Sequence, residues 1–124
     1  MAETRHYAAR ARSTDTPGRM ICTARDHHWV IDGPAWNGFP HEAVTPGESF
    51  LGAIAACCVE ILQLVAAKEE VPLHDARVSV DAELDPDDQP HPQHTLFNRV
   101  RMRVEVDGPT EEQAAALVDR FKGR

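Results

Sequence analysis

The stretch from Thr45 to Glu70, TPGESFLGAIAACCVEILQLVAAKEE, constrains this chain more than any other. It opens with helix-start signals: Thr45 as an N-cap, Pro46 in the first turn, and Glu48 as the acid of a capping box. Phe50, Ile54, Cys57, Ile61 and Val65 then recur at helical spacing, as do Leu51, Ala55, Cys58 and Leu62. Gly and Ala fill most of the other positions, and Glu60 and Gln63 are the chief polar interruptions. Pro72 ends the helix at the latest. A helix apolar nearly all round is central and must be covered on several sides. A chain of 124 residues builds one domain with a modest core. A second copy is therefore expected to cover part of this helix, in a homodimer.

The flanking segments read as strands and one further helix. Residues 5–13, RHYAARARS, alternate loosely and predict a first strand. STDTPG is a turn cluster, and RMICTAR and HWVID are rich in strand formers. DGPAWNGFPHEAV is a loop. Beyond the long helix, VSVDAEL places Val78, Val80, Ala82 and Leu84 on one face. RVRMRVEVD does the same with Val100, Met102, Val104 and Val106. Two period-2 runs joined by the turn-rich DPDDQPHPQHT predict an antiparallel pair with one wet face. A second helix opens at Thr110, with Gln113 completing a capping box. Ala114, Leu117, Val118 and Phe121 form its apolar stripe, Arg120 and Lys122 suit its C-terminal turn, and Gly123 suits the C-cap. Strands, long helix, strand pair and helix make an α+β fold with antiparallel sheet strands.

Charge and composition exclude some functions. A net charge of −7 argues against a nucleic-acid surface, which needs a basic footprint. No apolar run is read as reaching the roughly 20 residues of a membrane span, and MAETRHYAARARS lacks the apolar core of a signal peptide. The expectation is a cytoplasmic protein with no membrane partner. Three cysteines, two of them adjacent, do not form a secreted disulfide framework. There is no CxxC and no zinc spacing. His27-His28 and the His91 and His94 of HPQH supply too few ligands, so no metal or bound cofactor is expected. The RVRMR face, continued by Glu105 and Asp107, reads as a solvated sheet face. Trp29, Trp36 and Phe39 either line an apolar pocket for an organic substrate or serve as packing.

The thiols of Cys57 and Cys58 are the remaining question. On a helix, neighbouring side chains lie about 100° apart, which disfavours a disulfide between them. Unpaired cysteine packs readily as a small hydrophobe; as a thiolate it is a nucleophile. On the residues alone both readings stay open. Cys22, on the strand MICTA, reads as an inward packing position.

TPGESFLGAIAACC resembles the start of the central helix in the OsmC/Ohr family, the osmotically induced and organic-hydroperoxide-resistance proteins. The family pattern there is roughly Asn or Thr, Pro, Glu, a short apolar run, then Ala-Ala-Cys. Thr45, Pro46 and Ala55-Ala56-Cys57 match it in order and spacing. The order of elements over residues 5–124 also follows the family plan. The resemblance implies an OsmC-like fold, an intertwined homodimer with its active sites at the subunit interface, and thiol-dependent reduction of organic hydroperoxides. Cys57 would be the attacking cysteine, and an external dithiol or lipoyl-type reductant would restore it. Cys58 falls where the family usually has another residue and reads as packing.

An attacking thiol must be anionic, and an unperturbed cysteine has a pKa of about 8.5. Cys57 lies about three turns into the helix, beyond the reach of the N-terminal field, so a cation must come from elsewhere. The resemblance implies an arginine from the turn between the first two strands. Arg19 is the candidate, with Arg10 and Arg12 behind it; a solvated arginine is the alternative for each. The family's glutamate after the proline is Gly47 here, and Glu48 stands one position along as an orienting partner at best. Glu60, at i+3 from Cys57, would disfavour the thiolate unless neutralised. The family's resolving cysteine follows the second helix, as Cys-Pro. The expected single domain, residues 1–124, stops where that segment would begin, so either the sequence is truncated there or the protein lacks the residue; Cys22 could replace that cysteine only if the fold brought it close. A non-enzymatic OsmC-like protein that binds a small apolar ligand is the rival reading, and a purely structural dimeric domain the third.

Overall fold

The computed structural model describes residues 2–123. Its strands are β1 (Arg10–Ser13), β2 (Arg19–Ala24), β3 (His27–Asp32), β4 (Asp75–Glu83) and β5 (Arg99–Asp107); its helices are α1 (Pro46–Lys68) and α2 (Glu111–Lys122). A single 3-10 turn, Ala35–Asn37, interrupts the loop after β3. The chain divides into two compact units, Met1–Ser49 and Phe50–Arg124.

The first unit is built on an antiparallel sheet in the order β1-β2-β3. The first strand is shorter than its sequence suggests. Arg10 pairs with Thr23, the last β2 residue but one, and the chain turns at Arg25 with φ +53°. Residues 5–8 would run past the end of β2 with no ladder to join, and Ala9 would face only its last residue, so alternation alone does not make them strand. Cys22 and Ile31 are buried on one sheet face, where the sequence placed Cys22.

The turn between β1 and β2 is tightly specified. The Thr14 hydroxyl donates to the Arg19 carbonyl at 3.0 Å, and Gly18 takes φ +84°. The Gly33 N–H donates to the Gly18 carbonyl at 2.6 Å. The Phe39 ring lies where a Cβ on either glycine would have to be. Gly18 therefore needs both a left-handed backbone and the absence of a side chain. Arg19 leaves this turn as the first residue of β2.

The second unit holds most of α1, the antiparallel pair β4-β5 and α2. Cys58, Leu62, Val65 and Ala66 of α1 form its buried centre with Leu117 of α2. Val78, Met102, Val104, Val106 and Phe121 pack around it. The alternation read from β4 and β5 holds, with Val78 opposite Val104 and Val80 opposite Met102. Leu84 falls just past β4, and Val100 is half exposed. The outer face is charged: Arg77 pairs with Asp75, Glu105 and Asp107. At α2, Thr110 and Gln113 form the expected capping box, and Gly123 caps the other end with its N–H on the carbonyls of Arg120 and Phe121.

One expectation about α1 is met in part and one needs correction. Its apolar surface exceeds what one chain covers, as the expectation of a second copy assumes: within the single chain only Cys58, Leu62, Val65 and Ala66 are buried, while Phe50 and Leu64 remain exposed. Two strands and one short helix cannot surround a helix of 23 residues. It was read as too short for a bilayer span. By length and composition it is long and apolar enough to cross a membrane, because Gly, Ala and Cys keep its mean hydropathy high despite Glu60 and Gln63. Its buried face against β4, β5 and α2 is that of a core helix.

Candidate functional site

The start of α1 follows its sequence signals. The Glu48 N–H donates to the Thr45 hydroxyl at 3.3 Å. The Glu48 carboxylate accepts from the Thr45 N–H at 3.0 Å and from the Thr45 hydroxyl at 2.8 Å. These bonds from Thr45 lower the Glu48 pKa, with a smaller contribution from the charge of His41. Glu48 is thus a capping acid, with one carboxylate oxygen engaged by Thr45.

Three turns further on, helical geometry separates the two thiols. Cys58 is fully buried in the core, and Cys57 is exposed. Burial, with a smaller effect of the Cys57 sulfur, pushes the Cys58 thiol up. A core cysteine kept protonated is a packing residue. Cys57 shares its stripe of α1 with Phe50, Ala53 and Leu64, all exposed. Phe50 stacks on Phe97 with ring centroids 6.2 Å apart. Glu60 is also exposed, one turn from Cys57.

Arg19 is held by carboxylates that the sequence reading did not single out. Its Nε donates to Asp32 Oδ1 at 2.7 Å and its Nη2 to Asp32 Oδ2 at 2.8 Å; Nη2 also reaches Glu42 at 3.2 Å. Asp32 is fully buried, and its Oδ2 accepts the N–H groups of Glu42 and Ala43, each at 2.9 Å. The Arg19 bond is the main reason its carboxyl is held well below the usual range. Burial opposes this shift, and the two backbone donors add to it. The same partners hold the guanidinium above its ordinary pKa. One cation facing two carboxylates leaves little positive field for a third group. The strand register sets Arg19 opposite Asp32, a pairing that exists only once β2 and β3 have paired.

Arg19 and Glu48 belong to the first unit and Cys57 to the second. Arg10 and Arg12 line a cavity of about 240 Å³ in the first unit, together with Ala11, Ile21, Thr23 and His28. Trp29, Trp36 and Phe39 are exposed; Trp36 meets His41 edge-on at 6.3 Å. The rings of His91 and His94 lie 6.5 Å apart. Among the described residues no three side chains assemble a metal site.

The architecture defines an α+β protein whose long capped helix presents one thiol outward and seals its neighbour in the core. The family model for OsmC-like proteins matches residues 39–124, and the chain belongs to the OsmC-like family. Solved structures agree in fold. An OsmC-like protein from Mycoplasma pneumoniae superposes with a TM-score of 0.83 at 15% identity, over 98% of this chain and 84% of that one. An organic hydroperoxide resistance protein from Elizabethkingia anophelis gives 0.75 at 16% identity, over 96% and 82%. An organic hydroperoxide resistance protein OsmC from Legionella pneumophila gives 0.69 at 21%, over 95% and 82%. No curated protein sequence matches the chain.

Proposed function

We propose that this protein is a thiol-dependent peroxidase that reduces organic hydroperoxides through Cys57. One observation carries the reading: of the three cysteines, Cys22 and Cys58 are buried and Cys57 alone is exposed. It stands at the Ala-Ala-Cys position of an OsmC-like helix. The thiolate sulfur attacks a peroxide oxygen, an S–O bond forms and the O–O bond breaks. The alkoxide leaves and takes up a proton as the alcohol. Cys57 becomes a sulfenic acid. One thiol of an external dithiol condenses with it, releasing water, and the second thiol displaces Cys57, so that the dithiol leaves oxidised. The apolar stripe of Phe50, Ala53 and Leu64 beside Cys57 suits a hydroperoxide with an organic tail. A second copy covering the far end of that stripe at Leu64, with Cys57 left open to substrate, makes the working unit a homodimer. Three free cysteines suit the reducing cytoplasm.

In this reading Arg19 supplies the cation for the thiolate, which requires one of its carboxylate partners to yield. A second reading, a non-enzymatic protein that binds a small apolar ligand, draws on the same observation: Asp32 and Glu42 already compensate the guanidinium. Gly47 in place of the family's glutamate favours it too. Consumption of cumene hydroperoxide with dithiothreitol separates the two. The wild-type protein is expected to turn over and Cys57→Ser to stop. Equal rates for both proteins would end the peroxidase reading, and loss in Cys58→Ser instead would move the nucleophile by one residue.

A further inference from the structure

The cavity on the first sheet has a chemistry of its own. Its lining comprises two guanidiniums (Arg10 and Arg12), the His28 imidazole, the Thr23 hydroxyl and the apolar Ile21 and Ala11. No carboxylate lines it, although the chain carries 20 acidic residues against 13 lysines and arginines. Arg19, Arg77, Arg103 and Arg120 all have carboxylate partners. Among the described residues Arg10 and Arg12 have none, as is also true of Arg5, Arg25, Arg99 and Arg101, but only Arg10 and Arg12 share a cavity.

The strand register explains the convergence. Arg10 pairs with Thr23 and Thr23 with His28, so these three form one rung across β1, β2 and β3. Arg12, Ile21 and Val30 form the next rung on the same face. Thr23 is buried, and its hydroxyl lies 2.9 Å from His28 Nδ1. In the tautomer whose Nδ1 accepts from the Thr23 hydroxyl, the ring carries its proton on Nε2, where it can meet an oxyanion as a donor. Paired guanidiniums are the side chains best shaped for the oxygens of a carboxylate or phosphate, and Ile21 adds an apolar wall.

The geometry points to a binding site, on the β1-β2-β3 face, for the oxyanion of a small organic molecule, a carboxylate or phosphate monoester. Arg10 and Arg12 grip the oxygens, His28 donates beside them, and Ile21 packs against the carbon portion. The cavity is smaller than the 300 Å³ or so at which drug-sized ligands begin, so the occupant is compact. This site requires no thiol chemistry and stands or falls apart from the peroxidase reading.

Calorimetric titration at low salt tests it with phenyl phosphate, hexanoate and inorganic phosphate. Saturable binding of phenyl phosphate or hexanoate is expected, tighter than that of inorganic phosphate. Arg10→Gln and Arg12→Gln should each weaken it about tenfold, the loss of one charged hydrogen-bonding partner. Both side chains are exposed, so the variants should keep the wild-type circular dichroism. Cys57→Ser should bind like the wild type. The site is refuted by the absence of saturation with both organic probes, by unchanged affinity in the arginine variants, or by loss of binding in Cys57→Ser. Inorganic phosphate binding as tightly as phenyl phosphate would overturn the organic occupant.

Discussion

Arg19 and Asp32 face each other across β2 and β3, and the guanidinium grips the buried carboxylate at two points, 2.7 and 2.8 Å. Two backbone N–H groups complete the shell of that carboxylate. The pair ties the β1-β2 turn to the loop that leads into α1. It also places the candidate cation under the control of two acids.

The first prediction concerns acid stability. In the unfolded chain Asp32 regains a pKa of about 3.9, while in the fold it sits well below. Its contribution is complete above about pH 4 and is lost as the pH falls toward the folded value, because the unfolded state then binds the proton first. Thermal melts between about pH 7 and 2 should show Asp32→Asn less stable at neutral pH and less sensitive to acid than the wild type. Parallel curves would mean that the pair contributes nothing to folding.

Thiol accessibility gives the second. In the native protein one cysteine, Cys57, should react rapidly with a maleimide, and Cys22 and Cys58 only after unfolding. Mass spectrometry of peptides from a brief labelling pulse reads the order directly. Cys58→Ser should cost about 1–3 kcal/mol, because its hydroxyl would be buried without a planned partner. Rapid labelling of Cys58 would contradict its place in the core.

Leu62 and Leu64 separate the two sides of α1. Leu62→Ala removes a fully buried side chain and should cost about 2–5 kcal/mol in urea unfolding, whatever the protein concentration. Leu64 is 42% exposed in the single chain. If a second copy covers it, Leu64→Ala should destabilise in a concentration-dependent way. If nothing covers it, the effect should stay within about 0.5 kcal/mol.

Gly18 gives the fourth. Gly18→Ala meets a left-handed backbone, worth about 1–2 kcal/mol, and the Phe39 ring besides. The destabilisation should exceed the backbone cost alone. Phe39→Ala in the same chain should return the steric part and leave the backbone part, as a double-mutant cycle in urea measures.

Much of this molecule could be read locally. Thr45 with Glu48, and Thr110 with Gln113, announce helix starts because a cap is a contact over three residues. Val78 to Ala82 and Met102 to Val106 announce strands because the pleat repeats every two. The length of β1 escaped such reading, since it depends on where β2 stops. Asp32 and Glu42 escaped for the same reason: each meets Arg19 only after the chain has reversed direction.

The amino-acid sequence by itself determined the two helices, the alternating strands and the family motif ending at Cys57, all of them patterns set by backbone geometry within a few residues. Tertiary structure alone decided that Cys58 is sealed and Cys57 open, that Arg19 is held by Asp32, and that Arg10, Arg12, Thr23 and His28 share a cavity. Those outcomes depend on which distant surfaces meet, and burial and charge pairing acquire their values only once they do.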